Sequence, residues 1–333
     1  MTPFRYRRGH TAHQTVEAGV IPHTAYLAGG TGLVDLMKLE VEKPTAVIDI
    51  NALPLGEIEL LDGGGVRIGA LARNSDVAHH PMIRTAFPVL SQALLSGASP
   101  QLRNMATVGG NIMQRTRCYY FRDTSYPCNK REPGTGCPAI LGFNRIHAIL
   151  GGSEQCIATN PSDMNVALAA LDCIVHVQGS GGTRTILFED FHLPPGDSPH
   201  RETVLDPGEL ILSVEIPASP AAANSMYMKV RDRASYEFAL VSVALALHLE
   251  EGRVRDARVA FGGVATRPWR AKDVEQVLER EPLTEDVIER AARAAVRYAE
   301  PRRDNAFKVD LLYQSVIRAL RTWREKNDTG VAA

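Results

Sequence analysis

Between Asn111 and Ser162 the chain carries neither the helical period of about 3.6 residues nor the alternation of a half-buried strand, whereas both flanks keep a regular apolar pattern. The stretch is rich in Arg, Pro, Gly and Tyr, and it holds Cys118, Cys128, Cys137 and Cys156, four of the five cysteines. A long irregular segment inside a compact domain is usually functional or tied down by something. The gaps of nine, eight and eighteen residues between these cysteines contain no Cys-x-x-Cys pair, which fits neither a zinc ribbon nor a ferredoxin run. The segment has few large aliphatic residues to pack, so a cross-link is expected. Four thiolates suit a structural zinc or a 4Fe-4S cluster, and spacing does not choose between them. Buried free thiols are the plainer alternative. Cys173 lies in Leu171-Asp172-Cys173-Ile174-Val175, an apolar strand entry, and reads as core.

The rest of the chain is ordinary for a globular protein. Its 333 residues allow two or three domains at roughly 100–200 residues each. The hydrophobic fraction is 44%, the charged fraction 23% and the net charge −1, with no basic half, which points away from nucleic acid and anionic membranes. No apolar run reaches about 18 residues, so no membrane span is expected. The basic start, Met1 to His10, lacks an apolar core after it and is no secretory signal. The cytoplasm is the default compartment, and the periplasm is open only to a passenger on a signal-bearing partner.

Before the irregular segment, residues 4–50 read as a small α/β unit: a short helical stretch, a strand over 25–28, a glycine turn, a helix over 33–39 and a strand over 46–50. A strand over 66–72 and a helix over 88–95 follow, and Ser162 caps an apolar helix running through 171. Strands are expected over 174–177 and 210–216. Residues 217–223 have a linker composition of Ala, Ser and Pro. Beyond them come three strands, over 226–230, 238–249 and 254–261, then helices over 271–279, 286–298 and 309–323. Strands followed by helices indicate an α+β domain with helices on one sheet face.

Four further motifs bear on chemistry. Ala28-Gly29-Gly30-Thr31-Gly32-Leu33 joins a strand to a helix start, where converging N–H groups suit a pyrophosphate; a bare turn is the bland reading. Ala106-Thr107-Val108-Gly109-Gly110-Asn111-Ile112 pairs a hydroxyl and an amide with a Gly-Gly bend that lets a flat ligand approach the backbone. In Pro161-Ser162-Asp163-Met164, capping accounts for both polar residues, and a carboxylate bonded to ligand hydroxyls is the alternative. Lys229, Arg231 and Arg233 alternate along a strand, as phosphate or carbonyl contacts or as charges protecting a sheet edge. The pair His79-His80 reads as a loop feature. No nucleophile elbow and no zinc-protease motif occurs.

Taken in order, Ala-Gly-Gly-Thr-Gly-Leu, Ala-Thr-Val-Gly-Gly-Asn-Ile, Pro-Ser-Asp-Met, Glu-Leu-Ile-Leu-Ser-Val-Glu-Ile-Pro and Phe261-Gly262-Gly263-Val264-Ala265 resemble the FAD-binding medium subunits of the xanthine dehydrogenase and carbon monoxide dehydrogenase family, over nearly the whole chain. Most of that family passes almost directly from the Gly-Gly-Asn turn to the Ser-Asp turn. The insertion here resembles that of the periplasmic aldehyde oxidoreductase FAD subunits, with a related one in 4-hydroxybenzoyl-CoA reductase, where it carries a 4Fe-4S cluster. The resemblance thus implies the cluster, rather than zinc, on Cys118, Cys128, Cys137 and Cys156. It also implies an α+β chain: a two-lobed FAD domain of the vanillyl-alcohol-oxidase type over 1–217, with lobes at about 1–54 and 55–217 and the Cys-rich insertion at about 113–158, then an α+β domain over 218–333 built on a three-stranded sheet. By position, Leu27, Ala28, Gly29, Gly30, Thr31, Gly32 and Leu33 cradle the pyrophosphate. Thr107, Gly110 and Asn111 approach the flavin, and Asp163 the ribityl or adenosine side. Ile211 matches a backbone position near the adenine and Lys229 a lysine near the isoalloxazine. The family's flavin-stacking Phe has no match here, so NAD is not assigned as acceptor.

The implied partners are a large molybdopterin subunit and a small subunit with two 2Fe-2S clusters, with electrons passing to FAD and then to an external acceptor. A self-sufficient FAD oxidase would need an acid or base beside the flavin, and none is evident. A zinc-stapled interaction protein is the other competing class.

Overall fold

The computed structural model describes residues 1–328, and three sheets organise them. The first holds β1 (Arg5–Arg8), β2 (Thr24–Leu27) and β3 (Ala46–Asp49), all parallel in the order β1-β3-β2. Helices Ala12–Gly19 and Leu33–Lys38 make the crossovers that parallel pairing requires. Ala46, Val47 and Ile48 of the central strand are buried, whereas β1 is exposed throughout. That is why β1 leaves no apolar signature in Arg5-Tyr6-Arg7-Arg8, and it was not expected from the sequence.

The second sheet comprises β4 (Ile58–Leu60), β5 (Val66–Gly69), β6 (Ile174–Gly179), β7 (Gly182–Leu187) and β8 (Leu210–Ile216), ordered β4-β5-β8-β6-β7 with antiparallel neighbours. Short helices follow β5, among them Asn74–His79, which contains His79 and corrects its loop reading, and Pro88–Ser96. Helix Asp163–Ala169 starts on Ser162, whose Oγ accepts from Asn165 N at 3.0 Å. The Gly-Gly pair at 109–110 is not a turn but the inside of the short helix Val108–Ile112.

The third sheet is antiparallel: β9 (Ser225–Val230), β10 (Val241–Glu250), β11 (Arg253–Gly262) and β12 (Trp269–Arg270), in the order β12-β11-β10-β9. The two-residue β12 makes it four-stranded, correcting the three strands expected. Val241–Leu247 is buried at every position because both faces are covered. Val243, Leu245 and Leu247 pack with helices Glu285–Ala295 and Phe307–Asp328, while Ala244 and Ala260 belong to the core of the second lobe. Small residues on that face allow helix Asp163–Ala169 to lie close, and a Cβ on Gly262 would strike Val166. Residues 217–223 are accordingly no free linker: they contain helix Pro220–Ala223, with Ala221 and Ala222 buried. Among the described residues no helix is long and apolar enough to cross a membrane.

The irregular segment does not depend on its cysteines alone. The N–H groups of Ile149 and Leu150 donate to the Val264 carbonyl, and Leu150 pairs with Ala265 in a parallel bridge. Phe121 is fully buried beside Leu36 and Val41, and the Arg115 guanidinium covers its ring. The expectation that the segment lacks apolar anchors is corrected by these contacts with the first lobe and the C-terminal domain.

Candidate functional site

β2 runs into the first glycine turn, and three glycines there do different work. Gly29 lies against the Met105 carbonyl, with no room for a Cβ, and Gly30 has φ +72°. Around Gly32 nothing stands within 4 Å of a Cβ position. Asn51 pins the turn, its Nδ2 donating to the Ala28 carbonyl at 2.9 Å. Among the described residues, the N–H groups of Gly30, Thr31, Gly32 and Leu33 have no hydrogen-bond acceptor in the chain, so four donors are left for a ligand.

Thr31 and Gly32 form one wall of a cleft of about 600 Å³, within the usual range for cofactor sites. Gly110 and Asn111 line it from the second lobe, and Lys229, Tyr236 and Phe238 from the C-terminal domain. A second cavity of about 310 Å³ continues it, sharing Arg117, Pro161, Asp163 and Phe238. The larger cleft is lined by five cations, Arg103, Arg117, Arg122, Lys229 and Arg233, against the carboxylates Asp35, Asp163 and Glu237. That excess favours an anionic ligand. The Arg122 guanidinium, with Arg117 behind it, holds the Asp35 carboxyl below the usual range although burial opposes this.

Asp163 is already engaged. Its carboxylate accepts from Tyr227 Oη at 2.5 Å and from Lys229 Nζ at 2.8 Å, and Lys229 also donates to the Ser96 carbonyl at 3.1 Å. Burial, reinforced by Asp163, pushes the Tyr227 hydroxyl well above its ordinary pKa. Lys229 and Asp163 therefore form one buried ion pair on the cleft wall. β9 is the sheet edge, but it ends at Val230 and its Lys229 is buried in this pair, so the expected row of strand cations is corrected: Arg231 and Arg233 lie beyond the strand.

Other positions singled out from the sequence lie elsewhere. Thr107 is buried, and its Oγ1 accepts from Gly110 N at 3.3 Å as the N-cap of helix Val108–Ile112, which occupies the hydroxyl. Ile211 is packed inside the core of the second lobe on β8. Leu27, Ala28 and Leu33 flank the turn without lining the cleft. Conversely Asn51, Arg103, Arg117, Arg122 and Phe238 were not marked in the sequence. Arg-rich composition around 115–122 was the one visible signal for two of them.

The four cysteines of the irregular segment line a separate small cavity with Pro127, Pro138, Ala139 and Ala158. Cys118, Cys128 and Cys156 are buried, Cys137 is half-buried, and all five cysteines are free. Burial pushes the Cys118 thiol up to about 12 and the Cys156 thiol up to about 11. Hydrogen-bonding groups face these sulfurs: Ala158 N–H donates to Cys156 Sγ at 3.4 Å, and His147 Nε2 lies 3.1 Å from Cys118 Sγ. Among the described residues, no three His, Cys, Asp or Glu side chains meet closely enough to hold a single metal ion. Cys173 sits in the main core, away from this group. The wall between this cavity and the cleft is thin: Arg117, Tyr119, Ile146 and Thr159 line the cleft side, and their chain neighbours Cys118, His147 and Ala158 lie at the cysteine side.

Residues 3–219 match the FAD binding domain in molybdopterin dehydrogenase, and residues 225–323 match the CO dehydrogenase flavoprotein C-terminal domain. The chain is 53% identical to the aldehyde oxidoreductase FAD-binding subunit PaoB of Escherichia coli, over 84% of this chain and 87% of that one. It is 28% identical to the glyceraldehyde dehydrogenase medium chain of Sulfolobus acidocaldarius, over 85% and 83% of the two chains. Among solved structures, a chain of the carbon monoxide dehydrogenase of Hydrogenophaga pseudoflava superposes with a TM-score of 0.75 at 25% identity, covering 96% of each chain.

Proposed function

The chain belongs to the FAD-binding subunits of the molybdenum hydroxylase family, and from that membership we propose that it is the FAD- and 4Fe-4S-carrying electron-transfer subunit of an aldehyde-oxidising complex. It is an oxidoreductase subunit whose family places substrate hydroxylation on a molybdenum partner. The partners in this reading are a large molybdopterin subunit and a small subunit with two 2Fe-2S clusters, and an external acceptor takes the electrons last. The aldehyde class follows the aldehyde oxidoreductase relative.

One observation carries the reading. The cleft wall carries Thr31 and Gly32 of a turn with four unpartnered backbone donors, and the cleft is lined by an excess of cations, which together suit an anionic cofactor. FAD, when bound, supplies a carrier that accepts electrons singly and releases them in pairs. This chain's own groups do the rest. Gly30, Thr31, Gly32 and Leu33 direct N–H groups at the pyrophosphate, and Gly29 fixes the turn against residue 105. Gly110 and Asn111, which line the cleft from the second lobe, would hold the flavin end. The Lys229–Asp163 pair keeps a fixed dipole at that wall, and Phe238 with Tyr236 lines the C-terminal side.

Cys118, Cys128, Cys137 and Cys156 fit a 4Fe-4S cluster by their chemistry: four thiols, backbone and imidazole donors aimed at sulfur, and a shared cavity. Zinc would draw four sulfurs to within about 2.3 Å of one point, whereas a cluster spaces its ligands around a larger core. The test is the visible spectrum and the iron content of the purified chain. Flavin bands with a broad brown shoulder are expected, iron is expected to fall in Ala variants of each of the four cysteines, and Cys173→Ala is expected to keep it. Flavin bands alone, with zinc in place of iron, would refute the cluster. A chain that oxidises aldehydes alone, at the rate of the assembled complex, would refute the subunit reading.

A further inference from the structure

We propose that His147 is a positioning residue for the cysteine site, donating a hydrogen bond from Nε2 to the Cys118 sulfur and thereby making the group held there easier to reduce. The inference rests on the cluster reading above. Among the described residues His147 is the one side chain hydrogen-bonded to a sulfur of this set, at 3.1 Å. The residue is 1% exposed, and its Nδ1 has no partner among the described residues.

The direction of this bond follows from the donor inventory. A metal-bound thiolate has no proton to give, so its sulfur can only accept. Neutral imidazole carries one N–H, and nothing at Nδ1 competes for it. The proton therefore sits on Nε2, facing sulfur. A hydrogen bond to a ligand sulfur withdraws charge from it, which stabilises the more negative, reduced state of a cluster.

The C-terminal domain fixes the imidazole in place. The His147 carbonyl accepts from Lys308 Nζ at 3.1 Å and from Asn305 Nδ2 at 3.3 Å, and its N–H donates to the Asn144 carbonyl at 3.0 Å. Lys308 reaches onward to the Gly263 carbonyl at 2.7 Å. The buried lysine of the last helix thus holds the backbone that aims the ring. The sulfur so treated is also the one whose chain neighbours, Arg117 and Tyr119, line the cleft, so the tuned ligand lies on the flavin side of the site.

The experiment compares the wild-type full chain with His147→Leu and His147→Gln, each reconstituted with iron and sulfide under anaerobic conditions. Iron per chain, flavin absorbance and the cluster midpoint potential, from a redox titration followed by EPR, are the readouts. The expected result is full iron and flavin in all three, a midpoint displaced to more negative potential in His147→Leu, and an intermediate value in His147→Gln, whose amide keeps a donor. Deuterium oxide should shift the iron–sulfur stretching bands of the wild type and leave the corresponding shift smaller in His147→Leu. Full iron with an unmoved midpoint in His147→Leu would overturn the proposal. Iron lost from both His147 variants but kept in Cys118→Ala would make His147 a ligand and overturn it as well. If His147→Leu loses flavin through misfolding, the His147→Gln midpoint and the wild-type isotope shift decide. A wild-type chain that takes up no iron refutes the cluster reading itself, a result distinct from an unmoved midpoint.

Discussion

Three alanine substitutions in the first glycine turn separate folding from cofactor binding. In Gly29→Ala the new Cβ would stand 2.7 Å from the Met105 carbonyl carbon and 3.2 Å from Ala106 Cα, where carbon atoms pack at about 3.5–4.0 Å. These are backbone atoms, so either strand or loop must move, at a cost of about 3 kcal/mol on the overpacking scale. In Gly30→Ala the neighbours are only the side chains of Val34 at 3.3 Å and Leu27 at 3.5 Å, but φ is +72°. The left-handed backbone costs about 1–2 kcal/mol. In Gly32→Ala nothing lies within 4 Å and the backbone is right-handed, at φ −106°. Its stability should stay within about 1 kcal/mol of wild type, the loss of a glycine N-cap being small. Yet that methyl enters the cleft where the pyrophosphate must meet the backbone. FAD affinity in Gly32→Ala should fall by at least tenfold, about 1.4 kcal/mol. Urea midpoints of the apoproteins give the first quantity, and fluorescence titration with FAD gives the second. Gly32→Ala binding FAD as tightly as wild type would refute the assignment of the turn to the pyrophosphate. An unchanged urea midpoint in Gly29→Ala would refute the close backbone approach.

Two further outcomes follow from buried charges. Lys229→Met leaves the Asp163 carboxylate buried with Tyr227 as its remaining partner, the two side chains of the pair being 4% and 10% exposed. Breaking such a pair should cost about 3–5 kcal/mol, and adding Asp163→Asn should recover much of it; equal urea midpoints for single and double variants would argue against the pair. Burial, with Arg145 adding to it, lowers the Lys308 amine to about 7 from 10.5. The unfolded chain therefore binds the extra proton between those values, and stability should rise with pH from 7 towards 10.5 by up to about 5 kcal/mol. The stability difference between wild type and Lys308→Met, measured from pH 6 to 10, should shift in favour of wild type as pH rises, and parallel curves would exclude this.

What could be read from the sequence was local. The strand over 210–216 and the Ser162 cap were legible because strand alternation and capping chemistry depend on near neighbours. The glycine turn was legible for the same reason, since a left-handed residue at position 30 demands glycine whatever surrounds it. Four clustered thiols in an aperiodic segment suggested a shared site, and the fold brings all four to the lining of one cavity. What only the tertiary structure decided was which of these groups meet. Asp163 and Lys229 are 66 residues apart, and neither pattern shows that each has taken the other as its partner. Thr107 looked free for a ligand because a capping hydroxyl and a binding hydroxyl have the same sequence signature. Arg103, Arg117 and Arg122 look like solvated charges until the lobes close and turn them into one cleft. His147 and Lys308, 161 residues apart, carry no periodic signal at all. Local backbone preferences are fixed by residues a few positions apart, whereas a site is assembled by long-range packing, in which identical side chains become cap, ion pair or ligand contact according to what the fold brings against them.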